Sequence, residues 1–187
     1  QTLESISDTT KNLLSLSPDR VALYGYAHVP WMAKRQTMIP EAYLPASRER
    51  LGLFEAARDL FLAAGYDAIG IDHFAKPSDG LAQSARSGRM RRNFQGYTDD
   101  TAPTLIGVGA SSISRFRQGY VQNASATAAY LGRIREGMFG SARGHALTPE
   151  DLLRGRVIEE LMCQFTVDLA AIEAELDHVP FDLRAEF

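Results

Sequence analysis

An α/β fold with a small, mostly helical part behind it is predicted by two features of the 187-residue sequence. As far as residue 118, amphipathic helical stretches alternate with short apolar runs of strand length; beyond it the apolar spacing is helical nearly throughout. The expected division is therefore 1–118 and 119–187. Within the first of these, from Ile71 to Ser114, a polar, arginine-rich connection joins two strand-like runs and concentrates Asp, His, Asn, Gln and aromatic side chains.

Leu3, Ile6, Leu13 and Leu14 give a first helix, with Thr2 as its N-cap and Pro18 beyond its end. Arg20 to Ala27 is expected to be a buried strand. Prolines at 30, 40 and 45 keep residues 28–46 from forming one regular element, and a loop of that length is often functional. Ser47 is expected to cap a strong helix whose stripe is Leu53, Phe54, Ala57, Leu60, Phe61 and Ala64, ended by Gly65. Tyr66 to Asp72 follows as a strand, so strand, helix and strand suggest a parallel crossover unit. Ligands gather at the carboxyl ends of such strands, here Tyr26–His28 and Asp72–Phe74.

A short helix over 78–88 is capped by Ser78 or Asp79, and Asn93–Tyr97 is expected to be extended. Thr104 to Val108 reads as a third strand closing on Gly109-Ala110-Ser111-Ser112. Helices are expected over 124–135, from Thr148-Pro149-Glu150 onward and from Asp168, with a short β element near 143–147.

A 45% hydrophobic content with 23% charged residues fits a packed chain rather than a disordered one. No apolar run approaches the roughly 20 residues needed to span a bilayer. A net charge of -3 argues against general nucleic-acid binding. The single cysteine, Cys163, excludes an internal disulfide and fits a reducing, cytoplasmic setting. Charge is nevertheless uneven. From Lys76 to Arg117, Lys76, Arg86, Arg89, Arg91, Arg92, Arg115 and Arg117 face only Asp79, Asp99 and Asp100, a local surface suited to a small polyanion.

Asp72 beside His73 has the composition of an imidazole-orienting pair, although neighbours in a strand point to opposite sides. His145 and His178 are assigned no chemistry. Metal-ligand spacings and the G-x-S-x-G elbow are both absent, so no metal site and no catalytic residue is assigned. Gly107 and Gly109 would let backbone approach a ligand, but a G-x-G alone is a weak dinucleotide signal. The most distinctive cluster is Asn93-Phe94-Gln95-Gly96-Tyr97. A Phe beside a Gln amide suits a flat heteroaromatic ligand, the ring stacking and the amide bonding an edge.

The runs A-H-V-P at 27–30, G-I-D-H-F-A-K-P at 70–77, R-N-F-Q-G-Y-T at 92–98, G-V-G-A-S-S-I-S at 107–114 and L-M-C-Q-F at 161–165 resemble the oxygen-independent coproporphyrinogen III oxidases, which are radical S-adenosylmethionine enzymes. The related haem-chaperone group, typically N-F-A-[KR]-P followed by R-H-N-x-x-Y-W, is matched less well. The resemblance implies the C-terminal part of a radical-SAM partial TIM-like barrel over 1–118, then a small, mostly helical C-terminal domain over 119–187. It implies S-adenosylmethionine and a [4Fe–4S] cluster in a full-length protein, which would decarboxylate two propionates of coproporphyrinogen III with help from an electron acceptor. The family's three cluster cysteines have no counterpart here, since Cys163 stands alone, so the chain is expected to be an inactive fragment. A stand-alone tetrapyrrole- or S-adenosylmethionine-binding module is the alternative. By motif position Phe94, Gln95 and Ile113 would contact S-adenosylmethionine. Arg92 and Arg115 are candidate clamps for substrate carboxylates. An exposed sheet edge is expected to promote self-association.

Overall fold

The computed structural model describes residues 2–175, which fall into two compact units, one up to Asp99 and one from Asp100. His178 and the rest of the expected helical tail beyond Glu175 lie outside the described residues.

In the first unit, helix α1 (Leu3–Ser15) starts at Thr2, whose hydroxyl accepts the Ser5 N–H at 3.2 Å, as expected of a local cap. Helix α2 (Ser47–Ala63) begins one residue earlier than expected. Ala46 is its N-cap, and the Glu49 carboxylate accepts the Ala46 N–H at 2.8 Å. Between them, residues 28–46 hold two short 3₁₀ turns, Lys34–Met38 and Glu41–Tyr43.

The expected strands are shorter, and their arrangement differs. Only Arg20–Ala22 of the 20–27 run is a strand, β1, and the 66–72 run divides into β2 (Asp67–Ile69) and a turn leading into β3 (His73–Ala75). Gly70 at φ +56° lets the chain reverse there. The sheet order is β1-β3-β2, with β3 antiparallel to both neighbours. So β1 and β2 run the same way, as a crossover through α2 requires, but β3 lies between them and no adjacent parallel pair forms. An apolar run with an internal turn looks like one strand in sequence, which is why the reversal was not anticipated.

Phe74 points from β3 into the core. It stacks on Phe61 of α2 at 4.9 Å between centroids, and Tyr66 meets Phe61 edge-on at 5.9 Å. Ala57 completes this cluster, with Ile6, Leu13 and Leu14 of α1 packed against it. The Tyr66 hydroxyl donates to the Pro18 carbonyl, satisfying the polar tip of a buried ring.

Helix α3 (Gly80–Arg86) is capped by Asp79, whose carboxylate accepts the Leu81 N–H at 2.7 Å. The same carboxylate takes Arg20 Nε at 2.7 and 2.9 Å. Burial raises the Asp79 pKa, but the bonds from Arg20 and Leu81 and the Arg20 charge outweigh it and hold the group below the usual carboxylate range. A group depressed on folding stabilises above its unfolded value, and that contribution fades as pH falls through the folded value. Asp79→Ala is therefore expected to cost about 1–2 kcal/mol at neutral pH, the cap and the ion pair together. Urea midpoints should show the gap between parent and variant closing below about pH 4.

The run 93–97, expected to be extended, instead reverses: β4 (Arg91–Asn93) and β5 (Gly96–Thr98) form a hairpin with its turn at Phe94 and Gln95.

In the second unit the expected strand over 104–108 is reduced to one bridge, Leu105 with Arg115. Strands β6 (Ile113–Phe116), β7 (Gly119–Asn123) and β8 (Ser141–Ala146) form an antiparallel sheet in that order. The position between residues 118 and 119 falls in the turn of the β6–β7 hairpin, and the segment after it carries more sheet than sequence suggested. Helix α4 (Thr127–Arg135) connects β7 to β8. Helix α5 (Pro149–Gln164) opens on a reciprocal Thr148–Asp151 cap, and α6 (Leu169–Glu175) follows Asp168, whose carboxylate accepts the Ala171 N–H at 3.1 Å. Leu153, Val157 and Ile172 are the buried core of these two helices.

Candidate functional site

The β4–β5 hairpin turns on two residues, Phe94 and Gln95, both exposed. A two-residue hairpin usually needs positive φ at its central positions. Neither residue has it; Gly96, at φ +143°, supplies the departure instead. Asn93 holds the turn from within, its Oδ1 accepting the N–H groups of Gln95 at 2.8 Å and Gly96 at 3.3 Å. The Phe94 ring and the Gln95 amide are thereby presented together on a short, braced tip.

The tip is anchored by Tyr97, which is buried. Its hydroxyl accepts the Ile71 N–H at 3.1 Å. Its ring lies against Gly70, where an added Cβ would stand 2.1 Å from Tyr97 Cζ. The His73 imidazole meets the ring edge-on, 5.0 Å between centroids at 86°. The Arg92 guanidinium lies over the same ring at 5.6 Å, a cation–π contact. Arg92, foreseen as a carboxylate clamp, is thus half-buried against an aromatic ring. Arg86, from the same basic run, pairs with Asp67 and donates to the Pro77 carbonyl.

His73 Nδ1 is 2.7 Å from Asp72 Oδ1. The pair forms because Asp72 lies in the turn before β3, where the alternation of a strand does not apply. His28, by contrast, is on the irregular segment after β1, 3.2 Å from the Tyr26 hydroxyl.

In the second unit, the G-V-G segment is held against its own chain. Asn123 Nδ2 donates to the carbonyls of Gly107 at 3.2 Å and Gly109 at 2.9 Å, and the Gly107 N–H donates to Ser114 Oγ at 3.0 Å. A Cβ on Gly107 would fall 2.7 Å from the Ile113 carbonyl oxygen, so the close approach that this glycine permits is to its own backbone. Ile113 opens β6, half-buried. Arg115 follows in the same strand, its backbone bonded to Leu105. His145 lies 3.6 Å from Asp151, beyond hydrogen-bond reach. Asn123 was missed by sequence reasoning because its partners are 14 and 16 residues away.

An exposed ring and a neighbouring amide on a tip braced by Asn93 fit the flat heteroaromatic part of a cofactor. They do not fit an iron–sulfur cluster. The chain has one cysteine, buried in α5, whereas such a cluster takes several thiolates. Among the described residues, no helix is long and apolar enough to cross a membrane.

No profile of a known protein family matches the chain. Similarity to individual proteins is extensive. The chain is 64% identical over 173 residues to an oxygen-independent coproporphyrinogen III oxidase of Paracoccus denitrificans, covering 92% of the chain and 38% of that enzyme. It is 54% identical over all 187 residues to one from Cereibacter sphaeroides, covering 42% of the relative. The solved Escherichia coli coproporphyrinogen III oxidase, described as a radical SAM enzyme, superposes with a TM-score of 0.85 at 38% identity, over 95% of the chain and 41% of that structure. The chain thus spans about two fifths of the length of the relatives it matches. By sequence and by fold, these residues belong to the oxygen-independent coproporphyrinogen III oxidase family, as a segment of its members' length.

Proposed function

We propose that the chain contributes a cofactor-binding segment to an enzyme that oxidatively decarboxylates two propionates of coproporphyrinogen III to vinyls, giving protoporphyrinogen IX. The observation that carries this is the 64% identity to a named oxidase across 92% of the chain. S-adenosylmethionine, when bound with a reduced cluster, supplies the radical that activates the propionate. Phe94 and Gln95, both on the tip that Asn93 braces, would hold that cofactor, the ring by stacking and the amide by hydrogen bonding. Ile113 is assigned to S-adenosylmethionine, and Arg115 and Arg92 to substrate carboxylates, each on its own motif position. For Arg92 the clamp would compete with its place over Tyr97.

The wider arrangement, a partial TIM-like barrel over 1–118 with a small helical domain over 119–187, belongs to the same reading. So do a cytoplasmic setting, an electron acceptor as partner, and self-association through β1 or β2, the outer strands of their sheet. A chain with one buried cysteine is expected to convert no tetrapyrrole alone.

The test is a segment exchange: these residues replace the matching 173 in the Paracoccus denitrificans enzyme, and the hybrid is expressed in a strain lacking that enzyme. Restored haem synthesis without oxygen is expected. A folded, expressed hybrid that fails to restore it would contradict the proposal.

A further inference from the structure

We propose that the Asp72–His73 pair positions the Phe94–Gln95 tip, so that His73 is a positioning residue for S-adenosylmethionine rather than a packing accident. The proposal rests on the reading of that tip as the S-adenosylmethionine contact.

Strand alternation sets the geometry. Phe74 faces the core cluster with Phe61, so its neighbour His73 leaves β3 on the opposite side of the sheet, where it meets Tyr97 of the β4–β5 hairpin. A half-buried imidazole there has two polar edges to satisfy. The Asp72 carboxylate, an acceptor, requires Nδ1 to carry the hydrogen. That fixes the tautomer and the ring plane, as carboxylate partners of histidine commonly do. The other edge then points at Gly96: an added Cβ there would stand 3.4 Å from Nε2 and 3.6 Å from Cε1. The hairpin has no side chain at the one point where the imidazole arrives.

Gly96 directly follows Gln95, and Tyr97 follows Gly96. The turn of residues 70–73 therefore grips the hairpin at consecutive positions: the imidazole at Gly96 and Tyr97, the Ile71 N–H at the Tyr97 hydroxyl, and the bare Gly70 against the Tyr97 ring. Asn93 fixes the tip's internal shape, and the 70–73 turn fixes where the tip stands. A histidine serving only to fill space would need no carboxylate to set its plane. Small displacements of a contact group are costly in positioned sites, where ~1 Å can mean about 10²-fold.

The experiment uses the segment-exchange hybrid, with S-adenosylmethionine as the titrant. His73→Phe keeps a ring against Tyr97 but loses the bond to Asp72. His73→Asn offers an N–H near the Nδ1 position. We expect His73→Phe to weaken S-adenosylmethionine about tenfold and His73→Asn to recover most of that loss. In a Phe94→Ala/Gln95→Ala background, His73→Phe should add nothing, because it acts through the tip. In parallel, amide resonances of Gln95 and Gly96 in selectively labelled protein should shift in His73→Phe and return in His73→Asn. Unchanged affinity, an equal loss in both backgrounds, or unmoved Gln95 and Gly96 amides would each overturn the proposal. If instead Phe94→Ala/Gln95→Ala leaves affinity intact, the cofactor reading of the tip fails, and the amide shifts alone decide whether His73 positions it. Should His73→Phe not fold, Asp72→Leu, which removes the carboxylate and leaves the imidazole, takes its place with the same expected loss and amide shifts, and Asp72→Asn, which keeps an acceptor, should recover them.

Discussion

Gly70→Ala is expected to lower the stability of the first unit by about 2–5 kcal/mol, read as a shift in its urea midpoint. Two costs add. An L-residue held in the left-handed region costs about 1–2 kcal/mol, and Gly70 sits at φ +56°. The new methyl would also stand 2.1 Å from Tyr97 Cζ, so the ring must move, and overpacking of this kind costs about 1–3 kcal/mol. Tyr97 has little room, with 8% of its surface exposed and its hydroxyl taken by the Ile71 N–H. Against a total stability of about 5–15 kcal/mol for a typical protein, the loss is substantial. A change below about 1 kcal/mol would mean that Tyr97 is not clamped by the 70–73 turn, and the anchoring of the hairpin described above would be wrong.

Phe94→Ala combined with Gln95→Ala is expected to weaken S-adenosylmethionine binding by the hybrid by at least about tenfold. Stacking of a base on an aromatic side chain contributes about 1–3 kcal/mol, and an amide hydrogen bond about 0.5–1.5 kcal/mol. Each 1.4 kcal/mol is about a factor of ten in affinity. Gln95 is exposed and Phe94 is 39% exposed, so folding stability should fall by only about 1 kcal/mol and the variant should stay folded. Calorimetric titration and thermal melts separate the two. Loss of binding by the folded variant supports the assignment, whereas unchanged affinity removes both residues from the cofactor site.

What sequence made legible was local. Thr2, Asp79, Thr148 with Pro149, and Asp168 all stand at the helix starts foreseen for them, because a cap satisfies N–H groups within three residues of itself. The apolar stripe of α2 was equally readable, and its Ala57 and Phe61 are buried against Phe74. Pairing between distant segments was not. The G-I-D turn at 70–72 sits inside an otherwise apolar run and reads as more strand. β8 was foreseen as a short β element near 143–147, but its pairing with β7 was not, since Ser-Ala-Arg-Gly-His-Ala has weak strand preference and the partner lies some 20 residues earlier. At the candidate site, the Phe94–Gln95 pair was visible as chemistry. Its support was not: Tyr97, Gly70 and the Asp72–His73 pair acquire their roles only when the 70–73 turn meets the hairpin. The place of Arg92 over the Tyr97 ring was likewise not legible, because that contact forms across the hairpin.

If these residues serve as the matching segment of a coproporphyrinogen III oxidase, a hybrid enzyme that carries them must turn over. Product formation is measured for the purified Paracoccus denitrificans hybrid, supplied with S-adenosylmethionine, reductant, an electron acceptor and coproporphyrinogen III in the absence of oxygen. Protoporphyrinogen IX is expected, with carbon dioxide released from two propionates, and none when S-adenosylmethionine is withheld. A hybrid that folds and carries its cluster yet leaves coproporphyrinogen III unconverted, while the parent enzyme converts it, would contradict the account.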